Sequence, residues 1–145
     1  MKSNKINYFK TIIFALAFGI PGALLWFGIT ILSGWQIGLV AVGVGYLVGL
    51  GTVIGSGNKT GIRLQLLSAT VSLITIIMGE YFIANHYVHQ ALNELGITNI
   101  SYFINPVWVF ESLFEVLKED PITLLFWGIA VYVGFSIPKE KKEVD

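Results

Sequence analysis

Long apolar runs alternate with short polar segments along this chain, and the apolar runs define the predicted elements. A helix needs about 20 mostly apolar residues to cross a bilayer. Three runs meet this requirement, at residues 11–32, 35–54 and 62–84. A fourth run, residues 121–137, lies near the lower limit and would cross with little tilt or with local thinning of the bilayer. The pattern therefore predicts four membrane-spanning helices.

The polar stretch between the third and fourth runs, residues 85–120, predicts a segment outside the bilayer that contains a helix of its own. Asn105-Pro106 and Asp120-Pro121 are both helix-start signatures, in which a capping side chain precedes a proline at the first helical position. The first signature predicts a helix over residues 106–119, and the second predicts the start of the fourth span. The helix is amphipathic: one stripe is formed by Glu111, Glu115, Lys118 and Glu119, and the opposite face by Val109, Phe110, Leu113, Phe114 and Leu117. Its acidic stripe favours packing over the protein's own spans rather than adsorption to anionic lipid.

Composition agrees with a membrane protein, and the charges predict its orientation. Charged residues make up only 12% of the chain, about half of their usual share in soluble domains. Lysine and arginine favour the cytoplasmic side of short loops. With four spans, Lys118 lies outside and every other basic residue lies on the opposite side: Lys2, Lys5, Lys10, Lys59, Arg63, Lys139, Lys141 and Lys142. We therefore expect a multi-pass, all-α membrane protein of the cell membrane. Residues 1–145 would form one transmembrane domain of four transmembrane helices plus one external amphipathic helix, with both termini and the basic tail 138–145 in the cytoplasm.

Net charge and residue types exclude several classes of function. The formal net charge is zero, so no basic surface for nucleic acid is predicted. The chain has no cysteine, which excludes disulfides, iron–sulfur clusters and cysteine nucleophiles. The glycine-rich loop 55–61 lacks the spacing of a phosphate-binding loop and follows no predicted strand. Because no nucleophile or nucleotide-binding motif occurs either, we predict no catalytic residue, no cofactor, no metal and no enzyme activity.

Small residues recur on one side of the second span and predict close helix packing. They comprise Gly34, Gly38, Ala41, Gly45, Gly49 and Thr52. A shorter stripe in the first span, Ala15, Gly19 and Gly22, is expected to meet them, because small residues let helix backbones approach closely in lipid. Pro21 lies beside this shorter stripe and predicts a kink. The kink is either tolerated within a tight hairpin or opens a site between the two helices.

A line of polar residues follows one face of the third span. It consists of Gln65, Ser68, Ser72, Thr75 and Gly79, and His86 continues it at the outer end. Such side chains commonly bond across helices or to their own backbone, and the alternative is a hydrated path that ends at His86. Glu80 is the one acidic residue within a predicted span, which makes it a functional candidate. It either serves a proton or cation, or anchors the helix at the interface or bonds to another helix.

Two histidines near the outer end of the third span raise the question of a metal site. His86 and His89 are three residues apart, so both could reach one ion on a helix. A zinc site takes three or four ligands, and neither Glu80 nor Glu94 shares their face. We therefore interpret the pair as interfacial histidines.

A glycine-rich motif with a tryptophan marks the middle third of the chain. It consists of Gly34-Trp35-Gln36-Ile37-Gly38 and Gly43-Val44-Gly45-Tyr46-Leu47-Val48-Gly49, followed by a short basic loop and Gln65. This pattern resembles a group of uncharacterised four-span prokaryotic membrane proteins with a GW-rich second span, some of which carry an N-terminal zinc ribbon that this chain lacks. The resemblance implies a prokaryotic cell membrane and transfers no activity or functional residue.

These observations lead to hypotheses of different classes. The first is a non-enzymatic accessory or scaffold subunit that packs its helices against itself or a membrane protein partner. The alternative is a small oligomeric transporter or channel that uses Glu80 and the polar face of the third span. A third hypothesis, a membrane enzyme at the outer face, requires Glu111, Glu115 and the histidines to converge on one substrate. As an i, i+4 pair beside Lys118, the two glutamates fit a solvated helix face instead.

Overall fold

The computed structural model describes residues 5–35 and 38–140, except the side chain of Val116, and these residues fold into five helices. The helices are α1 (Tyr8–Ser33), α2 (Gly38–Gly55), α3 (Ile62–Glu94), α4 (Pro106–Glu119) and α5 (Pro121–Ser136). No strand occurs in the described residues. Gln36 and Ile37 of the glycine-tryptophan motif, Lys2, and residues 141–145 of the predicted basic tail lie outside them.

Capping side chains determine where several helices begin. At the start of α1, Asn7 accepts a hydrogen bond from the backbone N–H of Lys10 at 3.0 Å. At the start of α4, Asn105 accepts one from the N–H of Val107 at 3.0 Å. Asp120 does the same for α5. Each bond satisfies a backbone donor that has no partner within its helix, so α4 and α5 begin at the residues that the capping signatures indicate.

Two helices differ in extent from the spans expected from hydropathy. Helix α3 continues past residue 84 to Glu94, because hydropathy marks where a helix leaves the apolar layer and not where its hydrogen bonds end. Helix α2 begins at Gly38 rather than at Trp35, whose side chain is exposed. Gly34 belongs to neither helix body: it is the C-cap of α1, with φ of 69°, a left-handed conformation that glycine adopts without strain.

The four apolar helices share one core, with α2 and α3 at its centre. Helix α1 packs against α2 and α3 on one side, and α5 packs against the same two helices on the other. Within the described residues α1 and α5 make no contact with each other. Helix α4 packs against α3 and α5. The largest buried cluster joins all four apolar helices through Trp26, Ala41, Val44, Ile76, Ile83 and Ala130.

Polar residues are buried in the bundle beside this apolar cluster, and many large apolar residues are exposed. The buried polar side chains include Thr11, Thr30, Thr52, Gln65, Ser68, Ser72, Thr75 and Glu80. The exposed apolar side chains include Phe9, Leu25, Leu39, Leu66, Leu125 and Tyr132. Three helices, α1, α2 and α3, are long and apolar enough to cross a membrane, while α5 is apolar but shorter, with 16 residues. This reversal of the soluble pattern agrees with a membrane protein.

Candidate functional site

The polar face of α3 is the candidate site, and its inner half bonds to the backbone of α5. The amide Nε2 of Gln65 donates to the carbonyl oxygen of Phe135 at 3.0 Å. The hydroxyl of Ser68 donates to the carbonyl oxygen of Gly134 at 2.6 Å. Both acceptors lie in the last turn of α5, where carbonyl groups lack partners within the helix.

Pro138 explains why these two carbonyl groups need donors from another helix. In a continuing helix, Gly134 would receive the N–H of residue 138, but proline has no N–H. The N–H of Lys139 bonds to Ser136 instead of to Phe135. Gln65 and Ser68 therefore cap the C-terminus of α5 through side chains.

The middle of the polar face is closed by small residues rather than open to solvent. Thr75 donates its hydroxyl hydrogen to the carbonyl groups of Val71 and Ser72 on its own helix. Ser72 lies so close to Gly134 that a Cβ atom added to Gly134 would overlap the hydroxyl oxygen of Ser72. The Ser72 hydroxyl is buried and makes no hydrogen bond within the described residues. It shares this state with the indole Nε1 of Trp26, whose ring packs over Gly79.

Glu80 lies in the interior, between α3 and α5. Its residue is 1% exposed, and its carboxylate oxygen Oε1 accepts a hydrogen bond from the indole N–H of Trp127 at 3.1 Å. Trp127 packs against the main buried cluster. Of the roles expected from the sequence, a bond to another helix matches this burial, an outward reach to the headgroups does not, and a proton or cation role stays a prediction.

The two histidines lie apart from Glu80, on the outer extension of α3. The ring of His86 contacts the ring of Phe27, with centroids 6.2 Å apart. His89 Nε2 lies 2.6 Å from the carbonyl oxygen of Tyr102, which can only accept, so this nitrogen donates. Both line an open cleft of about 730 Å³ with Gln90, Asn93 and Glu94. No group of three or more residues able to hold a metal ion occurs in the described part of the chain.

The small-residue stripe of α2 packs mainly on α5, which differs from the pairing expected with the first span. Added Cβ atoms would meet Phe126 at Gly38, the carbonyl oxygen of Ala130 at Gly45 and Ile137 at Gly49. Ala41 is buried in the central cluster. Gly34 is outside the helix, with no atom within 4 Å of an added Cβ.

Helix α1 meets α2 through another set of small residues. Gly19 lies against Val48, and Gly22 lies against Leu47 and Val44. On the α2 side, Gly51 approaches the backbone of Phe14 and Ala15, and Gly55 approaches Thr11. Pro21 is exposed on the far side of α1, which is helical on both sides of it, so Pro21 does not lie at the α1–α2 contact.

The acidic pair of α4 is exposed and does not share a cleft with the two histidines. Glu111 and Glu115 are exposed, and Glu115 forms a 3.0 Å ion pair with Lys118. The histidines face a cleft whose lining includes neither glutamate.

No protein-family model, curated protein or solved structure matches this chain. The resemblance to four-span prokaryotic proteins stays a prediction.

Sequence reasoning missed two residues that organise the site, Trp127 and Asn85. Asn85 is buried and clamps the outer segment to α3: its Nδ2 donates to the carbonyl oxygen of Tyr102 at 2.9 Å, and its Oδ1 accepts from the N–H of Ile104 at 3.0 Å. Asn85 comes directly after an apolar run, where a polar residue usually marks the start of exposed chain, so its sequence position did not indicate that it is buried. Trp127 had a signal too, since the indole N–H of a tryptophan that packs inside a bundle usually finds an acceptor.

Proposed function

We propose that this protein is an integral membrane protein in which α1, α2, α3 and α5 cross the bilayer, with both termini in the cytoplasm. The reversed pattern of buried polar and exposed apolar side chains supports this arrangement, because the hydrocarbon layer accepts apolar side chains and excludes polar groups without partners. The distribution of lysine and arginine supports the orientation.

In this arrangement α4 lies at the outer surface, beside the ends of α3 and α5. The ring of Phe110 contacts the ring of Tyr81, with centroids 6.1 Å apart. Leu113 and Leu117 line a cleft together with Ile77 of α3 and Trp127 of α5. Part of the apolar face of α4 thus lies beside α3 and α5, which supports a helix that packs over the protein's own spans.

We further propose that the protein is a non-enzymatic accessory or scaffold subunit that acts by helix packing with a membrane protein partner. The supporting observation is that the polar face of α3 forms hydrogen bonds inside the protein, mainly to α5. Gln65 and Ser68 bond to α5, Thr75 bonds to its own helix, and Glu80 bonds to Trp127. Side chains that hold two helices together are poorly placed to line a path for ions or solutes.

Affinity purification of the tagged protein from its own membranes, in mild detergent and followed by native mass spectrometry, tests this function. We expect stoichiometric recovery of a second membrane protein, and the control is an unrelated tagged membrane protein at the same expression level. Recovery of this chain alone, as a monomer or a homo-oligomer, would count against the accessory role.

A small oligomeric transporter or channel is the second candidate, and one observation favours it. The Trp26 indole N–H and the Ser72 hydroxyl are buried without hydrogen-bond partners in the described residues, and the carboxylate of Glu80 is buried in the same bundle. Unsatisfied polar groups inside a membrane protein frequently mark a functional route. Proton and cation flux into proteoliposomes tests this candidate. If the protein is a transporter or channel, the unmodified protein should show flux and the Glu80→Gln variant should not. Absence of flux with the unmodified protein would contradict this candidate.

A further inference from the structure

The outward side of α4 combines apolar and acidic groups in one surface. A shallow depression is lined by Val107, Phe110, Glu111, Ser112, Phe114 and Glu115. Phe114 is 62% exposed and Val107 is 60% exposed, although both are large apolar residues outside the predicted spans. We call these six residues the α4 surface. Exposed apolar area rimmed by charge is typical of protein interaction sites.

The contacts of Lys118 show which kind of side chain can bind to this surface. Its ammonium Nζ lies 3.0 Å from the Glu115 carboxylate and 4.9 Å from the centroid of the Phe114 ring. One cation thus contacts a carboxylate and an aromatic face together, a combination that suits lysine and arginine. Glu111 makes no such ion pair among the described residues, which leaves room for a further cation.

The charges of the chain point to a basic partner other than a second copy. Residues 85–120 contain one basic residue, Lys118, and the acidic residues Glu94, Glu111, Glu115, Glu119 and Asp120. In the proposed topology every other lysine and arginine lies across the bilayer. A second copy would therefore bring carboxylates against carboxylates. An anionic lipid surface would be repelled for the same reason.

We propose that the α4 surface binds a basic amphipathic segment of a partner membrane protein on the outer side of the membrane. Apolar side chains of that segment cover Phe114 and Val107, and its lysine or arginine side chains pair with Glu111 and Glu115. This inference rests on the proposed accessory function and names the partner's chemistry at one surface.

Site-specific photocrosslinking in native membranes tests this proposal. A photoreactive benzoylphenylalanine replaces Phe114, and the crosslinked peptide is sequenced after irradiation. We expect an adduct with a peptide of net positive charge from another membrane protein. The matched control places the same probe at Tyr132 of α5, which is 68% exposed and faces lipid in the proposed arrangement, so no such adduct is expected there.

Charge variants separate a specific contact from mere proximity. We expect Glu111→Lys with Glu115→Lys to lower the yield of the adduct at least about tenfold, which corresponds to about 1.4 kcal/mol. Glu94→Lys, an exposed change on α3, should leave the yield unchanged. Lys118→Gln removes the internal competitor and should raise the yield.

The outcomes distinguish this surface from the accessory function itself. An adduct with lipid, with a second copy or with a neutral or acidic segment would overturn the proposal. So would the absence of any protein adduct, or a yield that the double charge reversal does not change. If a stoichiometric partner is nevertheless recovered by affinity purification, the accessory function stands and only the α4 surface is lost. Recovery of no partner contradicts both.

Discussion

Replacing Gly45 with alanine is the sharpest test of how α2 and α5 pack. An added Cβ at Gly45 would overlap the carbonyl oxygen of Ala130, and Gly134 faces the carbonyl oxygen of Gly45 across the same contact. Ser72 of α3 lies against Gly134 beside the same contact, so a shift of α5 away from α2 also disturbs the packing of α5 on α3. Gly45→Ala must therefore separate three helices, by about 1 Å to restore an ordinary carbon–oxygen contact of about 3.3 Å.

The expected magnitude follows from two opposing effects. Alanine stabilises a helix interior relative to glycine by about 1 kcal/mol, and overfilling a packed core costs about 1–3 kcal/mol. Separation of α5 also strains the 2.6 Å bond from Ser68 to Gly134. We expect Gly45→Ala to lower the free energy of unfolding by about 1–2 kcal/mol. Gly43→Ala is the matched control in the same helix, because no atom lies within 4 Å of its added Cβ, and it should be neutral or stabilising.

Both variants can be compared by reversible unfolding in mixed micelles of dodecyl maltoside and SDS, followed by circular dichroism. Effects of the detergent are common to both variants and cancel in the difference between their free energies of unfolding. If Gly45→Ala were as stable as Gly43→Ala, the close α2–α5 contact would be refuted.

The same unfolding assay and a labelling experiment test three further expectations. Ser68→Ala leaves a carbonyl group of α5 without its donor and should cost about 1–2 kcal/mol, whereas Ser72→Ala should be neutral or stabilising, and equal losses would contradict the capping role. Glu80→Gln keeps an acceptor for the tryptophan indole N–H and should cost under about 1 kcal/mol, while Glu80→Leu removes it and should cost about 1–3 kcal/mol; the reverse order would exclude this bond as a stabilising contact. Because the chain has no cysteine, Ser101→Cys, at an exposed position outside the α4 surface, should react with an impermeant maleimide on intact cells and Thr60→Cys only after permeabilisation, and the opposite result would invert the topology.

The sequence predicted helix starts well where local chemistry decides them. Asn105-Pro106 and Asp120-Pro121 placed the starts of α4 and α5 because a cap and a proline act over one turn of chain. The end of α3 was missed because residues beyond the apolar run, up to Glu94, still favour helix. Its outer turns keep a polar side with His86 and His89 and an apolar side with Val88 and Leu92, a pattern that a hydropathy window averages away.

The partner of each packing face could not be predicted. A small-residue stripe lets any helix approach closely, so the sequence alone does not show whether Gly38, Gly45 and Gly49 pack against α1 or against α5. Contacts between residues distant in the chain decide the pairing, such as the bond from Glu80 to Trp127. In lipid, the outward and inward faces of a helix are also similarly apolar, which removes the contrast that identifies the core side of a soluble helix.

The shortness of α5 and the polar face of α3 have one explanation in the proposed four-span arrangement. Helix α5 has 16 residues, so at about 1.5 Å per residue it is about 24 Å long, less than the hydrocarbon layer of about 30 Å. A helix this short ends within or at the edge of the apolar layer, where bare carbonyl groups cost several kcal/mol each. Gln65 and Ser68 supply donors to Phe135 and Gly134, and the N–H of Gly61 donates to the carbonyl oxygen of Pro138 at 3.0 Å. The polar line that resembles a conduction path in the sequence is then the means by which a short helix can end inside a membrane.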